Sequence, residues 1–136
     1  MPSFKVSTNG FNDIIDITKK VEKIVEESRA GDGIVLVFVT GSTAGITIIE
    51  YEKGVIEDLK NIFEKIVPQK AKYSHEEAWQ NGNGFSHVRA GILGPSLTVP
   101  IENGKILLGI WQRIVLIDFD AKPRERKVIV KIIKSI

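Results

Sequence analysis

The residue types best suited to chemistry gather in one stretch, Tyr73 to Ser96, YSHEEAWQNGNGFSHVRAGILGPS. It holds both histidines of the chain, His75 and His87, and one of the two tryptophans, Trp79. Between them lies Asn81-Gly82-Asn83-Gly84, a run too poor in aliphatic side chains to build a core, which leaves its amides to turn formation or to a ligand. The histidines stand twelve positions apart, a separation that fits no compact metal motif. They can still converge in space with an acid such as Glu50 to form a His-His-carboxylate site for a divalent ion, or one of them can serve as an acid–base group. The plainer alternative is two loop histidines, and spacing alone favours it.

Three further groups have types that invite a ligand. Gly41-Ser42-Thr43-Ala44-Gly45 leaves an apolar run, and its backbone N–H groups and hydroxyls could face a phosphate or carboxylate. It is not a P-loop, because no Gly-Lys-Ser/Thr follows and the next element reads as a strand. A tight strand-to-strand turn explains the same residues. If pairing stays in register, Gln112 shares a strand face with Leu108, Ile110, Ile114 and Leu116, where a buried amide needs a partner, so it is a candidate to face a pocket. Arg124 and Arg126 project together from an extended chain, and a guanidinium pair suits a phosphate. The many basic residues after Lys122 also suit a charged edge strand that resists aggregation.

Composition narrows the class of protein. With 136 residues, 43% hydrophobic and 26% charged, the chain reads as one globular domain spanning 1–136. A net charge of +2 is too balanced for the basic footprint of a nucleic-acid binder. The absence of cysteine removes disulfides, thiolate metal sites and a thiol nucleophile. The first residues lack the basic and apolar regions of a signal peptide, and no apolar run reaches the roughly 18 residues of a membrane span. The expectation is a soluble, cytoplasmic protein that binds neither membrane nor nucleic acid.

The elements that must hold the candidates follow from periodicity. Ser3 to Thr8 alternates as a strand closed by Asn9-Gly10, and Asp13 to Ile17 is a short strand leading to Thr18 as a helix N-cap. Val21, Ile24, Val25 and Ser28 line one face of that helix. Gly33 to Thr40 is apolar on both faces and reads as a central strand buried between two layers. A strand at Ile46 to Glu50 is followed by a helix over Lys53 to Val67, stopped by Pro68. Phe85 to Leu93 suggests a short helix, Ser96 to Ile101 a strand, and Asn103-Gly104 a two-residue hairpin. Lys105 to Asp120 is long for one strand, with Gly109 a candidate bulge, and Glu125 to Ile133 alternates as the last strand. Two main helices among seven or eight strands, with hairpins in the C-terminal half, predict an α+β fold built on a mostly antiparallel β-sandwich.

Three blocks together resemble the YjbQ-like family, also called the secondary thiamine-phosphate synthase family. They are Ser42 to Glu50; Asn83 to His87 with Leu93-Gly94-Pro95-Ser96 and Pro100; and Leu108 to Gln112 followed by Pro123-Arg124-Glu125-Arg126. Tyr73-Ser74-His75 falls where that family has a histidine block, and Gly41 stands where its pattern has a third histidine. The resemblance implies a β-sandwich with flanking helices, usually a homotrimer, with polar residues clustered near subunit contacts. It also implies a transferase that joins a pyrimidine-methyl diphosphate to a thiazole phosphate. On that resemblance, Ser42, Thr43, Asn83, Gln112, Arg124 and Arg126 would bind a small phosphorylated molecule. Glu50, His75 and His87 would be catalytic, the two histidines holding a divalent metal such as zinc or magnesium. A non-catalytic metal- or small-anion-binding protein using the same residues is the rival expectation.

Overall fold

In this computed structural model, which describes residues 2–136, the chain alternates between two antiparallel sheets. Strand β1 (Ser3–Thr8) belongs to the first sheet, β2 (Asp13–Asp16) to the second, and α1 (Thr18–Ser28) follows. Then come β3 (Gly33–Val39) in the first sheet, β4 (Ala44–Glu50) in the second, and three helices, α2 (Lys53–Ile66), α3 (His75–Trp79) and α4 (Gly84–Leu93). Strands β5 (Ser96–Glu102) and β6 (Lys105–Ile106) return to the first sheet, β7 (Gln112–Asp118) enters the second, and β8 (Arg124–Lys134) closes the first. The five-stranded sheet has the order β1-β8-β3-β5-β6 and the three-stranded sheet β2-β7-β4. The fold is α+β, as the periodicity predicts.

The core between the sheets comes from alternation. Val35, Val37 and Val39 of β3 and Val128 and Val130 of β8 point inward and are fully buried, against Ile114 and Leu116 of β7. Helix α1 adds Val21 and Val25, which its 3.6-residue period places on one stripe. Each such side chain contributes about 1.5–3 kcal/mol by leaving water. A second, smaller core lies on the far face of the three-stranded sheet, where Val115 and Ile117 meet Phe119, Phe63 of α2 and Ala90 of α4.

Several sequence expectations need correction. The strand buried on both faces is β7, not β3: two layers enclose β7, whereas the outer face of β3 is only half-buried at Leu36 and Phe38, and Ile34 there is 40% exposed. Lys105 to Asp120 is not one bulged strand. The chain leaves the first sheet after Ile106 and joins the second at Gln112, so the break is a change of sheet. Thr18 does not cap α1, whose N-cap is Ile17. Its hydroxyl is drawn instead to β7, accepting from the Ile114 N–H at 2.8 Å. The Asn103-Gly104 turn is as expected, with φ of 52° and 79°, the two positive values that a type I′ hairpin requires. Among the described residues, no helix is long and apolar enough to cross a membrane.

Candidate functional site

Two sheet-to-sheet crossings meet at one end of the sandwich. The β3–β4 turn, Thr40 to Thr43, passes from the first sheet to the second, and the β7–β8 turn, Phe119 to Pro123, passes back. Their proximity is fixed by hydrogen bonds from Thr40 N to Lys127 O at 3.1 Å and from Phe119 N to Thr43 O at 2.9 Å. Helix α3 and the start of α4 complete the wall, and Glu76 joins the two helices by accepting from Gly84 N at 2.8 Å. A Cβ at Gly84 would lie 2.6 Å from Tyr73 Cβ, so glycine is what allows this close approach. The resulting cleft has a volume of about 480 Å³ and brings together His75, His87, Asn83, Ser42, Arg124 and Arg126.

Beneath it lies an ionic network that sequence reasoning missed. The Asp118 carboxylate, fully buried, accepts from Arg126 Nε at 2.7 Å, Arg126 Nη2 at 2.8 Å, the Thr8 hydroxyl at 2.5 Å and Asp120 N at 3.0 Å. Asp120 accepts from Arg124 Nε at 2.9 Å, from Thr43 Oγ1 at 3.0 Å, from Ala121 N at 2.7 Å and from Asn83 Nδ2 at 3.4 Å. Burial pushes the Asp120 carboxyl upward, but these hydrogen bonds and the Arg124 charge outweigh it and hold the group below the usual carboxylate range. A signal was present in the sequence. Two carboxylates two residues apart end an apolar strand, and two guanidiniums two residues apart follow across a short turn.

The arrangement changes what the candidate residues can do. The one proton of the Thr43 hydroxyl goes to Asp120, and its oxygen accepts from Arg126 Nη2 at 2.6 Å, so it has no donor left for a ligand. Its role is positional. Ser42 is exposed at the cleft, and Arg124 keeps both terminal nitrogens free among the hydrogen bonds of the described residues. The His75 and His87 rings lie 4.3 Å apart between centroids, tilted by 48°. Burial pushes the His87 imidazole below its ordinary value and the adjacent His75 adds to this, while Asp120, the Ser42 carbonyl and Glu76 oppose it without reversing it. Among the described residues, two buried side-chain polar atoms have no hydrogen-bond partner, His75 Nε2 and Asn83 Oδ1.

Glu50 and Gln112 are not part of this cleft within one chain. They pair with each other at one end of β4 and β7, whereas the cleft lies at the Ala44–Asp118 end. Six residues of strand separate the two ends, about 20 Å. Glu50 lines a different cleft, with Asp16, Trp111 and Arg113. The Gln112 amide is exposed and not buried beside its strand neighbours, because the change of sheet ends the strand there. Its Oε1 accepts from Gly109 N at 2.7 Å and closes the turn.

The implied metal fits this donor set poorly. The two imidazoles are close enough to share an ion, but a catalytic zinc site takes three protein ligands. The carboxylate that lines this cleft, Asp120, has its oxygens engaged by four donors. Among the described residues, no group of three or more His, Cys, Asp or Glu side chains is arranged to hold a metal.

The fold and cleft define a class: an α+β protein of two antiparallel sheets with a polar, ionically braced cleft at one end. The chain belongs to the UPF0047, YjbQ-like family, whose model matches residues 2–135. It is 46% identical over 119 residues to a UPF0047 protein of Archaeoglobus fulgidus, covering 88% of this chain and 90% of that one. It is 32% identical over 133 residues to the UPF0047 protein YugU of Bacillus subtilis, covering 96% and 97%. Among solved structures, a YbjQ-like protein of unknown function from Sulfolobus solfataricus superposes with a TM-score of 0.93 at 34% identity, over 98% of this chain and 96% of that one. A YjbQ/UPF0047 family protein from Clostridium acetobutylicum superposes with a TM-score of 0.89 at 41% identity, over 98% and 100%.

Proposed function

We propose that the cleft binds a small phosphorylated molecule and that the protein is a transferase of the thiamine-phosphate synthase type. The observation that carries this reading is the combination, in one cleft, of free guanidinium nitrogens with two histidines, one of which has a buried and unpartnered Nε2. Buried polar atoms are normally paired, so an unpaired one at a cleft wall points to a ligand.

In the reaction, the bond between the pyrimidine methylene carbon and the diphosphate oxygen breaks, and its electron pair leaves with diphosphate. The thiazole ring nitrogen supplies the pair for the new C–N bond and becomes the thiazolium. The net transfer needs no proton. Its main demand is charge stabilisation on the departing diphosphate, which donors fixed in advance supply without reorganising. Arg124 supplies free terminal nitrogens and Ser42 a hydroxyl. His87, held toward its neutral form, can take a proton from a substrate amine or donate a hydrogen bond. Trp79 at the rim, 71% exposed, offers a flat face to a heterocycle.

A second reading, a non-catalytic binder of a small anion, is favoured by a specific observation. Asp118 and Asp120 balance the charges of Arg126 and Arg124, so the cleft has less cationic excess than a diphosphate site would use. An assay with both phosphorylated precursors, with and without magnesium or zinc, distinguishes the two. Formation of the coupled thiazolium phosphate supports the transferase, and no product under any condition refutes it. His87→Ala then separates roles: lost turnover with retained binding assigns chemistry to the imidazole.

A further inference from the structure

Arg126 is 7% exposed, and three of its five N–H groups are spent: Nε–H and one Nη2 hydrogen on Asp118, the other Nη2 hydrogen on Thr43. Nη1 makes no hydrogen bond among the described residues, although its side chain is otherwise locked in place. The reason it stands open is Gly41. A Cβ at that position would lie 2.7 Å from Nη1, and the glycine φ of +113° is one that other residues rarely adopt. Glycine therefore leaves a notch in the cleft wall with one guanidinium nitrogen at its base. The exposed Ser42 hydroxyl follows directly in the chain, and the His75–His87 pair lines the same cleft.

We propose that the Gly41 notch is an oxyanion subsite in which Nη1 of Arg126 seats one phosphate oxygen. Asp118 and Thr43 are positioning residues that aim the guanidinium, and Gly41 determines specificity by keeping the notch open. Arg124 is the looser partner, exposed and held by a single bond to Asp120, and it would follow the outer part of the anion. The subsite rests on the reading of the cleft as phosphate-binding. It adds which nitrogen does the binding and why residue 41 has no side chain. It also divides the arginine pair, which the sequence presents as equivalent, into a fixed donor and a mobile one.

The test is titration of the 15N-labelled protein with inorganic diphosphate, following backbone amides and arginine Nε–H signals by NMR. The subsite requires that the Arg126 Nε–H and the Gly41 amide shift in step with the His87 and Ser42 amides. It also requires that Gly41→Ala weaken diphosphate binding about tenfold or more, the loss expected for one hydrogen bond to a charged group. If Ser42, His87 and Arg124 respond while Arg126 and Gly41 stay still, the subsite is overturned and the phosphate-binding cleft survives. If no cleft signal moves, both are overturned. Should Gly41→Ala fail to fold, the wild-type titration still decides, because the Arg126 signal is read directly.

Discussion

Replacing Asp118 with Asn tests the ionic network where its consequences are largest. The carboxylate is fully buried and satisfies four donors, two of them from the Arg126 guanidinium. Asparagine keeps the volume but loses the charge, and its amide nitrogen must face either a guanidinium N–H, the Thr8 hydroxyl or a backbone N–H. Removing one partner of a buried ion pair costs about 3–5 kcal/mol, because the remaining charge is left uncompensated. Asp120 moderates this, since its Oδ2 lies 3.9 Å from Arg126 Nη2. The expected loss is therefore at the lower end, about 3 kcal/mol, or about 10 °C in melting temperature for a chain of this size. Urea denaturation of Asp118→Asn, Arg126→Met and the double variant measures it. The double variant should be more stable than the sum of the single losses by about 2 kcal/mol or more, because no charge is then left buried alone. A loss below about 1 kcal/mol for Asp118→Asn, or strict additivity in the cycle, would refute the account of the network.

Gly84→Ala should destabilise by about 1–3 kcal/mol, since the new Cβ must displace Tyr73 or Glu76 where α3 meets α4; thermal melting checks this, and an unchanged melting temperature counts against the close approach. His87 gives a pH signature. Its folded value lies below its unfolded value of about 6.5, so the unfolded chain binds more protons in that window, and stability should fall as pH drops through 6.5. Denaturation at pH 7.5 and 5.5 should show a smaller loss in His87→Gln than in the wild type. Affinity for sulfate, an anion that does not titrate in this range, should rise over the same interval as the imidazole gains its proton. Gln112→Ala should leave diphosphate affinity within about twofold while costing about 0.5–1.5 kcal/mol, because its amide closes the Gly109 turn. A large loss of binding would bring Gln112 back into the site.

Much of the fold was legible because its signals are local. Val21 and Val25 recur at helical spacing, Val35, Val37 and Val39 alternate, and Asn103-Gly104 has one common use between strands. What failed was knowledge of what lies across from each face. Gly33 to Val39 and Ile114 to Ile117 look equally apolar in one dimension, yet only the second has a layer on both sides. The site divides the same way. His75, His87, Asn83, Ser42 and the arginines were legible by type and do share a cleft, while Thr43 proved to be bound up in the network beneath it. Glu50 and Gln112 have suitable chemistry, but the β4–β7 register carries them to the other end. Asp118 escaped notice because an acid ending a strand resembles a solvated terminus until its partner, eight residues on, is seen to fold back over it.

The order β1-β8-β3 has a consequence for how the protein comes into being. Strand β8 runs from Arg124 to Lys134 and, among the described residues, is the strand that joins β1 to β3. During synthesis, Ser3–Thr8 must therefore wait unpaired until the chain beyond Arg124 leaves the ribosome. The same event delivers Arg126 to Asp118, so the sheet and the floor of the cleft are completed in a single late step. A nascent chain stalled before Arg124 should expose the edges of β1 and β3 together and be cut readily by protease, whereas release of the remaining residues should confer resistance abruptly.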